Sequence, residues 1–388
     1  TGPGRFAGIN GTVSAAEANL RYQVRESAAV TVDATDIFRT VGYQLSNDAA
    51  LVITGTVQQD RTLEFAGRGS VDLAVDLATG TRAAIRTAPV LTAQYYSNDP
   101  SEIDLISRGT ISMTSGPGNQ LDYSAVVLGA RDRFTNAGTI SVRGDAATAP
   151  LLSAIANGTI TNSGTIRIDN AIGIASAATL INSGSILDVE GGSGTIAVSA
   201  VGRLENTGTI SVSGVAVRTY GYFPLLDLDN AAGAVIASGS GAAVRAFGGR
   251  ISNAGTITGT VDLGYDQSFN GTPSRAFATG VYVAAGGTVS GDVLFGRGRD
   301  LFVQTGTASG VTGRIDAGDG DDVYAHRVAA SRLVELRNEQ VTSFEHLVVD
   351  VSGANAVGTV AADGGFTGTL TLQGVGTVVN TAAINGLV

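Results

Sequence analysis

The 388-residue chain contains no cysteine, no tryptophan and no lysine, and two of these absences restrict its chemistry. Without lysine, Schiff-base and lysine-base mechanisms are excluded. All 24 basic residues are arginine, the net charge is −10, and no basic run is present to neutralise phosphates, so we predict no nucleic-acid partner. The absence of cysteine favours an exported bacterial protein, because stray disulfides would block export through an oxidising periplasm; a cysteine-poor proteome is the alternative explanation.

Large side chains are scarce as well. Aromatic residues make up 6% of the chain, whereas 54 residues are glycine. We therefore expect a core of small and β-branched side chains, which suits narrow, regularly layered strands. No apolar stretch has the length that a membrane span requires, so we predict none in this chain.

Internal repeats carry most of the information in this sequence. A five-residue unit, Asn-x-Gly-(Thr/Ser)-Ile, recurs every 20 to 26 residues, starting at Asn136, Asn162, Asn182, Asn206 and Asn253, with degenerate copies at Asn230 and Arg108. Asn and Gly both tolerate positive φ, so we interpret Asn-x-Gly as a tight turn.

The residues after each turn alternate in polarity, as Ile140 and Val142 do around Ser141, which predicts a strand with one buried face. A turn and short strands every twenty-odd residues, with no helical pattern between them, predict one coil of a parallel β-helix with two or three strands. A β-propeller or sandwich is the alternative fold, but it needs longer blades and regular hairpin turns.

A second repeat lies nearer the C-terminus, where Gly291–Phe302 aligns with Gly313–Tyr324 at a constant offset of 22 residues. The turn of the first copy reads Gly-Arg-Gly-Arg-Asp and that of the second reads Gly-Asp-Gly-Asp-Asp. Stacked coils would set two arginines opposite two aspartates, so we predict an Arg–Asp ladder, formed by Arg297, Arg299, Asp319 and Asp321.

The order of these blocks resembles the passenger region of autotransporters. Asn-x-Gly-Thr-Ile coils come first, followed by Gly-Asp-Gly-Asp-Asp-Val-Tyr, then Ser-Phe-Glu-His-Leu from Ser343, then Gly-Thr-Leu-Thr-Leu from Gly368, over roughly residues 105–388. The resemblance implies an all-β, right-handed parallel β-helix (a β-solenoid) at the bacterial outer-membrane surface or in the extracellular space. It also implies translocation through the protein's own C-terminal barrel. No barrel strands follow before Val388, so we expect either that the barrel was cleaved or omitted, or that the protein is exported by another route.

We predict three regions. Residues 1–105 lack the repeat but alternate, as Val71 and Leu73 do around Asp72, and are interpreted as irregular first coils or an N-terminal cap. Residues 106–330 are the regular coils. Residues 331–388 are the C-terminal coils and cap, which the resemblance implies start folding at the cell surface.

The acidic turn near Asp322 is a candidate calcium site, because oxygen ligands and glycine turns suit Ca²⁺. Its carboxylates are Asp316, Asp319, Asp321 and Asp322. Such sites need tandem copies, so the Arg–Asp ladder is the simpler account. We predict no other cofactor.

A tripeptide of the integrin-ligand type, Arg143-Gly144-Asp145, follows a strand and is a second candidate, although these are the common turn residues of this chain. No catalytic residue is predicted, since the two histidines lack a nucleophile motif.

Asp227 and Asp229 lie on one strand face, as the paired carboxylates of a polysaccharide-cleaving enzyme would. The alternative interpretation is an ordinary outward-facing strand whose Leu226 and Leu228 are buried. We favour the second.

Two segments are longer than the basic coil requires, residues 217–223 and 264–280. Loops that extend from solenoid coils tend to gather on a binding face, and exposed aromatic side chains there would suit sugar or protein contacts. The alternative is that they cover a hydrophobic ladder. The candidate binding residues are Tyr220, Tyr222, Phe223, Tyr265 and Phe269.

The sequence therefore predicts a secreted, non-enzymatic β-helical surface protein that acts as an adhesive or structural rod. Its expected partner is a cell-surface protein, a glycan or another copy of itself. The alternatives are a polysaccharide-cleaving β-helix enzyme, and a solenoid component of an extracellular filament or phage.

Overall fold

The computed structural model describes most of the chain, and within that part it contains strands and turns but no helix. Accordingly, no described segment is a helix long and apolar enough to cross a membrane. The described residues are 19–24, 29–33, 40–56, 62–79, 83–87, 102–114, 124–144, 153–175, 177–189, 195–199, 201–219, 225–266, 274–305, 310–337, 340–363, 366–380 and 384–385.

The chain divides into two compact units, Thr1–Val201 and Gly202–Val388, called unit 1 and unit 2. The strands of unit 1 are β1 (Asn19–Val24), β2 (Ala29–Asp33), β3 (Thr40–Thr56), β4 (Thr62–Thr79), β5 (Ile85–Arg86), β6 (Glu102–Ser107), β7 (Thr110–Thr114), β8 (Ser124–Val127), β9 (Arg133–Asn136), β10 (Thr139–Arg143), β11 (Ser153–Ala156), β12 (Thr159–Asn162), β13 (Thr165–Asp169), β14 (Ile172–Ala175), β15 (Thr179–Asn182), β16 (Ser185–Asp188) and β17 (Ile196–Ser199).

The strands of unit 2 are β18 (Arg203–Asn206), β19 (Thr209–Val212), β20 (Val215–Arg218), β21 (Leu226–Asn230), β22 (Val235–Arg245), β23 (Gly249–Asn253), β24 (Thr256–Asp262), β25 (Tyr265–Asp266), β26 (Ser274–Arg275), β27 (Gly280–Ala284), β28 (Thr288–Ser290), β29 (Val293–Leu294), β30 (Leu301–Gln304), β31 (Ile315–Asp316), β32 (Val323–Val328), β33 (Arg332–Arg337), β34 (Val341–Thr342), β35 (His346–Val351), β36 (Val357–Asp363), β37 (Phe366–Thr367), β38 (Thr369–Gly374), β39 (Thr377–Asn380) and β40 (Ile384–Asn385).

In unit 1 each strand pairs in parallel with its equivalent one coil away, which produces three columns of stacked strands. Column one contains β6, β9, β12 and β15. Column two contains β7, β10, β13 and β16, and column three contains β5, β8, β11, β14 and β17. One strand of each coil enters each column, so the predicted all-β parallel β-helix is confirmed.

Unit 2 has the same three columns. Column one runs through β18, β21, β23, β27, β30, β32, β35 and β38. Column two contains β19, the first part of β22, β24 and β28, and column three contains β20, the later parts of β22 and β24, then β29, β31 and β34. Near the C-terminus β33, β36 and β39 form a further parallel stack.

The first described coils contain longer strands than the later ones. β3 and β4 have 17 and 18 residues and pair in parallel along most of their length. β4 pairs with β5 at its start, with β6 through its middle and with β7 at its end, so this one strand supplies all three columns. Its alternation has the predicted phase, with Val71 and Leu73 buried.

The core is layered, but its composition differs from the expectation of small and β-branched side chains alone. The aliphatic layers are present, and Ile140, Val142, Ile166 and Ile168 are buried as predicted. Aromatic rings are stacked within them: in unit 2, Tyr282 lies 5.3 Å from Phe302, and Phe302 lies 4.9 Å from Tyr324, measured between ring centroids. In-register pairing places equivalent positions of successive coils above one another, so a few aromatic side chains stack and form one layer of the core.

The repeat does form the predicted turn, since Ser163 and Gly164 make a bend between β12 and β13, but the expectation of positive φ at this turn is wrong. Asn136, Asn162 and Asn182 end column-one strands, are fully buried, and are not among the residues with positive φ. Their side chains form a ladder in which the Nδ2 of each donates to the Oδ1 of the next, at 2.8 and 2.7 Å. Unit 2 repeats the ladder with Asn206, Asn230 and Asn253, at 2.8 Å for both steps.

The glycine of the repeat is required by space. A Cβ on Gly164 would lie 2.1 Å from the carbonyl oxygen of Gly138, and one on Gly184 would lie 2.1 Å from that of Gly164. The backbones of successive coils therefore approach too closely for any side chain. The Asn-x-Gly pattern therefore marks a turn at which the backbones of successive coils are closely packed.

Candidate functional site

The two long segments predicted as insertions extend from the same edge of unit 2, the end of column three. Arg218, at the end of β20, pairs in register with Arg245 of β22, which pairs in turn with Asp262 of β24. The first segment follows Arg218, and the second follows Asp262. The second contains a short antiparallel hairpin, β25–β26, in which Tyr265 pairs with Arg275.

Aromatic and cationic side chains meet at this edge, and we call them the arginine–aromatic surface. Its members are Arg218, Arg245, Phe247, Tyr265 and Phe277. The guanidinium carbon of Arg245 lies 5.2 Å from the ring centroid of Tyr265, within the range of a cation–π contact. Phe277 is 60% exposed and meets the buried ring of Phe247 edge-on, with 5.5 Å between centroids.

Backbone contacts hold these side chains in place. Phe247 forms a bridge with Gly264, and its N–H donates to Thr219 Oγ1 at 3.3 Å. The N–H of Tyr265 donates to the carbonyl oxygen of Ala246 at 3.1 Å. The hairpin is thus fixed to the coil that carries Arg245.

Two arginines and one aspartate, Arg218, Arg245 and Asp262, carry the charges of this row. Burial lowers the pKa of Arg218 to about 10; Tyr265 opposes this shift, and the neighbouring charge of Arg245 adds to it. In the part of the chain that the structure describes, Arg245 has the ring of Tyr265 as its contact and no ion pair with a carboxylate. Asp262, the next residue in the row, accepts the N–H of Gly264 at 3.0 Å.

Among the predicted binding residues, the structure places Tyr265 on this surface. The other four, Tyr220, Tyr222, Phe223 and Phe269, lie outside the described residues. Sequence reasoning missed Arg245 and Phe247. The signal was present, because Ala216-Val217-Arg218 recurs as Ala243-Val244-Arg245, with an aromatic residue two positions later in both copies.

The predicted Arg–Asp ladder is confirmed at the acidic turn. Arg297 lies 3.5 Å from Asp319, and Arg299 lies 3.0 Å from Asp321. His346 also contacts Asp321 at 2.6 Å, and this hydrogen bond is the main cause that lowers the pKa of the Asp321 carboxyl.

The two other carboxylates of the candidate calcium site point elsewhere. Asp316 pairs with Arg314 at 3.3 Å. Asp322 is buried and accepts the N–H of Asp300 at 2.7 Å, and burial raises the pKa of its carboxyl to about 6. Within the described ranges, no group of three or more His, Cys, Asp or Glu is arranged to hold a metal ion. Calcium binding stays a prediction, and the described residues provide no ligand cluster that supports it.

Asp227 and Asp229 are part of a surface ion-pair lattice. Leu226 and Leu228 are buried, which confirms the outward-facing strand. Asp227 forms an ion pair with Arg203, which lies one coil below, and Asp229 is 3.1 Å from the same guanidinium.

Arg250, one coil above, lies 3.2 Å from Asp227 and 3.1 Å from Asp229. Both carboxylates are thus held between two cations.

The integrin-type tripeptide is partly described. Arg143 forms an ion pair with Asp169 of the next coil at 3.1 Å, and Gly144 is buried. Asp145 lies outside the described residues. An arginine that is ion-paired with the next coil and a buried glycine give the tripeptide no added support, and its role stays a prediction.

Comparison with known proteins finds no family model, no curated protein and no solved structure that matches this chain. The assignment of the fold therefore rests on the strand pairings, and any function has to be argued from the surfaces described above.

Proposed function

We propose that this chain is a secreted, non-enzymatic surface protein, the passenger of an autotransporter, whose β-helix presents a binding surface to another cell or to an extracellular polymer. The proposed location is the bacterial outer-membrane surface or the extracellular space. The proposed partner is a glycan or a protein, and a second copy of the chain is a further possible partner.

The observation that carries the proposal is the position of the two inserted segments. Both extend from column three of unit 2, two coils apart, in the row that contains Arg218, Arg245 and Asp262. Segments that are inserted next to one another at one edge of a solenoid commonly form its binding surface. Phe277, which is 60% exposed, presents an aromatic ring at that edge, and such rings suit contacts with sugars or proteins.

An adhesion assay tests the binding half of the proposal. The purified chain is coupled to beads, and the attachment of the beads is measured on epithelial cells, on bacterial biofilm matrix and on plain polymer films. We expect attachment to at least one biological surface and none to the plain films. The same protein is incubated with a panel of acidic and neutral polysaccharides. Release of reducing ends or unsaturated products would contradict the non-enzymatic proposal.

The export route has its own test. Reading the gene beyond the codon for Val388 should reveal further segments of about ten residues that alternate apolar and polar, as barrel strands do. A stop codon directly after Val388 would contradict the autotransporter proposal and leave the adhesion proposal to be judged by the bead assay.

A further inference from the structure

We propose that unit 2 forms a side-by-side dimer with a second copy of the chain through the outer face of column one, where β27, β30, β32 and β35 carry aliphatic side chains. This inference develops the self-association named above as one possible partnership, and it uses a surface separate from the two inserted segments. A dimerisation assay and the bead assay therefore succeed or fail independently.

The outward positions of these four strands are almost entirely aliphatic. The alternate residues of each strand, such as Tyr282 and Phe302, are buried in the core, so the residues between them face outward. In-register pairing stacks the outward residues in two adjacent rows. The aliphatic residues of these rows form a surface that we call the aliphatic face: Val281, Leu301 and Val323 in the first row, and Val283, Val303, Ala325 and Val348 in the second.

The neighbouring coils carry polar residues at the same outward positions. One coil before the aliphatic face, the two rows contain Arg250 and Ser252. One coil after it, they contain Thr369 and Thr371. A contiguous aliphatic surface with polar borders is typical of a protein interface, since its contact with a second apolar surface removes both from water.

The charges at the edge of the aliphatic face fit a second copy of the chain. Arg299 and Asp321 lie two residues before Leu301 and Val323, their guanidinium and carboxylate groups are 3.0 Å apart, and their side chains are 76% and 53% exposed. A two-fold axis that runs along the strands, between β30 and β32, places β30 of each copy over β32 of the other. Arg299 of each copy then faces the partner's Asp321 while the two aliphatic faces pack together.

The second possible two-fold axis runs across the strands and places every strand over its own copy. Asp227 would then lie against the partner's Asp229, because these two residues occupy the two outward rows of β21. Opposed like charges disfavour that arrangement. The charges therefore favour the axis along the strands, in which Leu301 lies over the partner's Val323.

The size of the aliphatic face predicts a weak dimer. Four strands and three residues along each strand give a face of roughly 19 by 10 Å, or about 200 Å² on each copy. A stable interface buries about 800 Å² on each partner. Even with its polar border the contact is small, so we expect the dimer to form at micromolar and not at nanomolar concentrations.

Sedimentation velocity of the full chain, from nanomolar to high micromolar concentration, measures the dimer directly. The first two variants are L301R and V323E, which each place a charge in the aliphatic face. The matched control is T258E, which adds a charge at an exposed outward position of column two in the same unit. An equal mixture of L301R and V323E is the fourth sample.

We expect native protein to dimerise, and L301R and V323E alone to raise the dissociation constant about tenfold or more, because each dimer would bury two charges against apolar side chains. T258E should stay within about twofold of native. The mixture should dimerise better than either variant alone. In a mixed dimer the introduced arginine faces the introduced glutamate, and the second contact keeps the native Val323 against the native Leu301.

Four results would overturn the inference: a native chain that is monomeric at every concentration, variants that dimerise as well as native, an equal loss in T258E, or a mixture no better than its components. Circular-dichroism melts accompany each variant. If the substitutions in the aliphatic face prevent folding, R299E carries the test, because this side chain is 76% exposed and its reversed charge would oppose the partner's Asp321.

We expect R299E to weaken the dimer about threefold or more, and an unchanged dimer in R299E would then contradict the proposed arrangement. A chain that attaches to cells but stays monomeric would overturn this inference and leave the adhesive function standing. A chain that dimerises but attaches to no biological surface would do the reverse.

Discussion

A buried asparagine destabilises a protein core unless the polar atoms of its amide form hydrogen bonds. In unit 1 the ladder of Asn136, Asn162 and Asn182 supplies amide partners between successive coils, although the buried Oδ1 of Asn136, at the first described step, has no hydrogen-bond partner among the described residues. The Nδ2 atoms of Asn136 and Asn162 also donate to backbone carbonyl oxygens of the next coil, those of Thr165 and Ser185, at 3.3 Å each. The ladder therefore couples neighbouring coils through the same position.

We predict that Asn162→Ala lowers the free energy of unfolding by about 2–5 kcal/mol, since it removes one partner from each of two buried amides. The control is Thr161→Ala, on the same strand but facing outward, which should cost less than about 1 kcal/mol. Urea denaturation followed by circular dichroism measures both. Equal costs for the two variants would show that the buried ladder does not stabilise the coils.

Gly164 leads to a second residue-scale prediction. A Cβ at this position meets the carbonyl oxygen of Gly138 at 2.1 Å, so Gly164→Ala should force the coils apart and cost about 1–3 kcal/mol in the same assay. Its neighbour Ser163 is exposed, and Ser163→Ala should have a much smaller effect. A neutral or stabilising Gly164→Ala would contradict the close approach of the backbones.

Asp322 leads to a prediction about pH. Burial raises the pKa of its carboxyl from 3.8 to about 6, so the folded state holds the proton more tightly than the unfolded state does. Folding is therefore favoured below pH 4 relative to pH above 6, and this contribution is lost as pH rises from about 4 to 6. Asp300, Asp321 and Glu345 face the same corner and add like charge.

Asp322→Asn keeps the Oδ1 acceptor for the Asp300 N–H and removes the charge. We expect the variant to melt at a higher temperature than native protein at pH 7.5, with the difference shrinking toward pH 4. Thermal melts of both proteins across this range give the comparison. A variant that is less stable than native by the same amount at every pH would rule out a buried, charged Asp322 as the cause.

At the scale of the element, the sequence was most informative where a pattern repeats along one strand. Inward residues such as Ile166 and Ile168 were predicted because alternation is local. The ladder of Arg297, Arg299, Asp319 and Asp321 was predicted because two turns aligned at a constant offset. The role of Asn162 was not predicted, because its partner is 20 residues away and its local pattern is also that of a turn.

The candidate site shows the same limit. Tyr265 was selected as an aromatic residue in an inserted segment, but the ring's partner, Arg245, lies 20 residues earlier in a coil of ordinary length. Only the register of β22 with β20 and β24 brings the two arginines and the hairpin together. Contacts between coils depend on how many residues each coil contains, and the coils of this chain differ in length.

The acidic turn carries a prediction at this scale. Asp319 and Asp321 are already paired with arginine, so replacing calcium by a chelator should leave the melting temperature unchanged. Magnesium at the same concentration is the control for ionic strength. A rise in melting temperature with calcium alone would establish the calcium site that the turn sequence suggests.

For the whole molecule, both units are built from coils that contact only their neighbours, so stability is approximately a sum of local terms. Such a scaffold tolerates long segments at one edge without disturbing the rest, which is how unit 2 carries the arginine–aromatic surface. The proposed function needs no more of the scaffold than a constant register between successive coils. The parallel β-helix described above depends on that register.

Engineered cysteine pairs test the register directly, since the native chain has no cysteine to interfere. Asp227 and Arg250 face each other on adjacent strands, with Cα atoms about 4.8 Å apart, a separation that a disulfide spans. Asp227 and Ser252 are offset by two residues and about 8 Å apart, beyond that reach. We predict that the cysteine pair at 227 and 250 cross-links on mild oxidation, whereas the pair at 227 and 252 does not. Preferential cross-linking of the offset pair, or equal cross-linking of both, would contradict the parallel in-register β-helix.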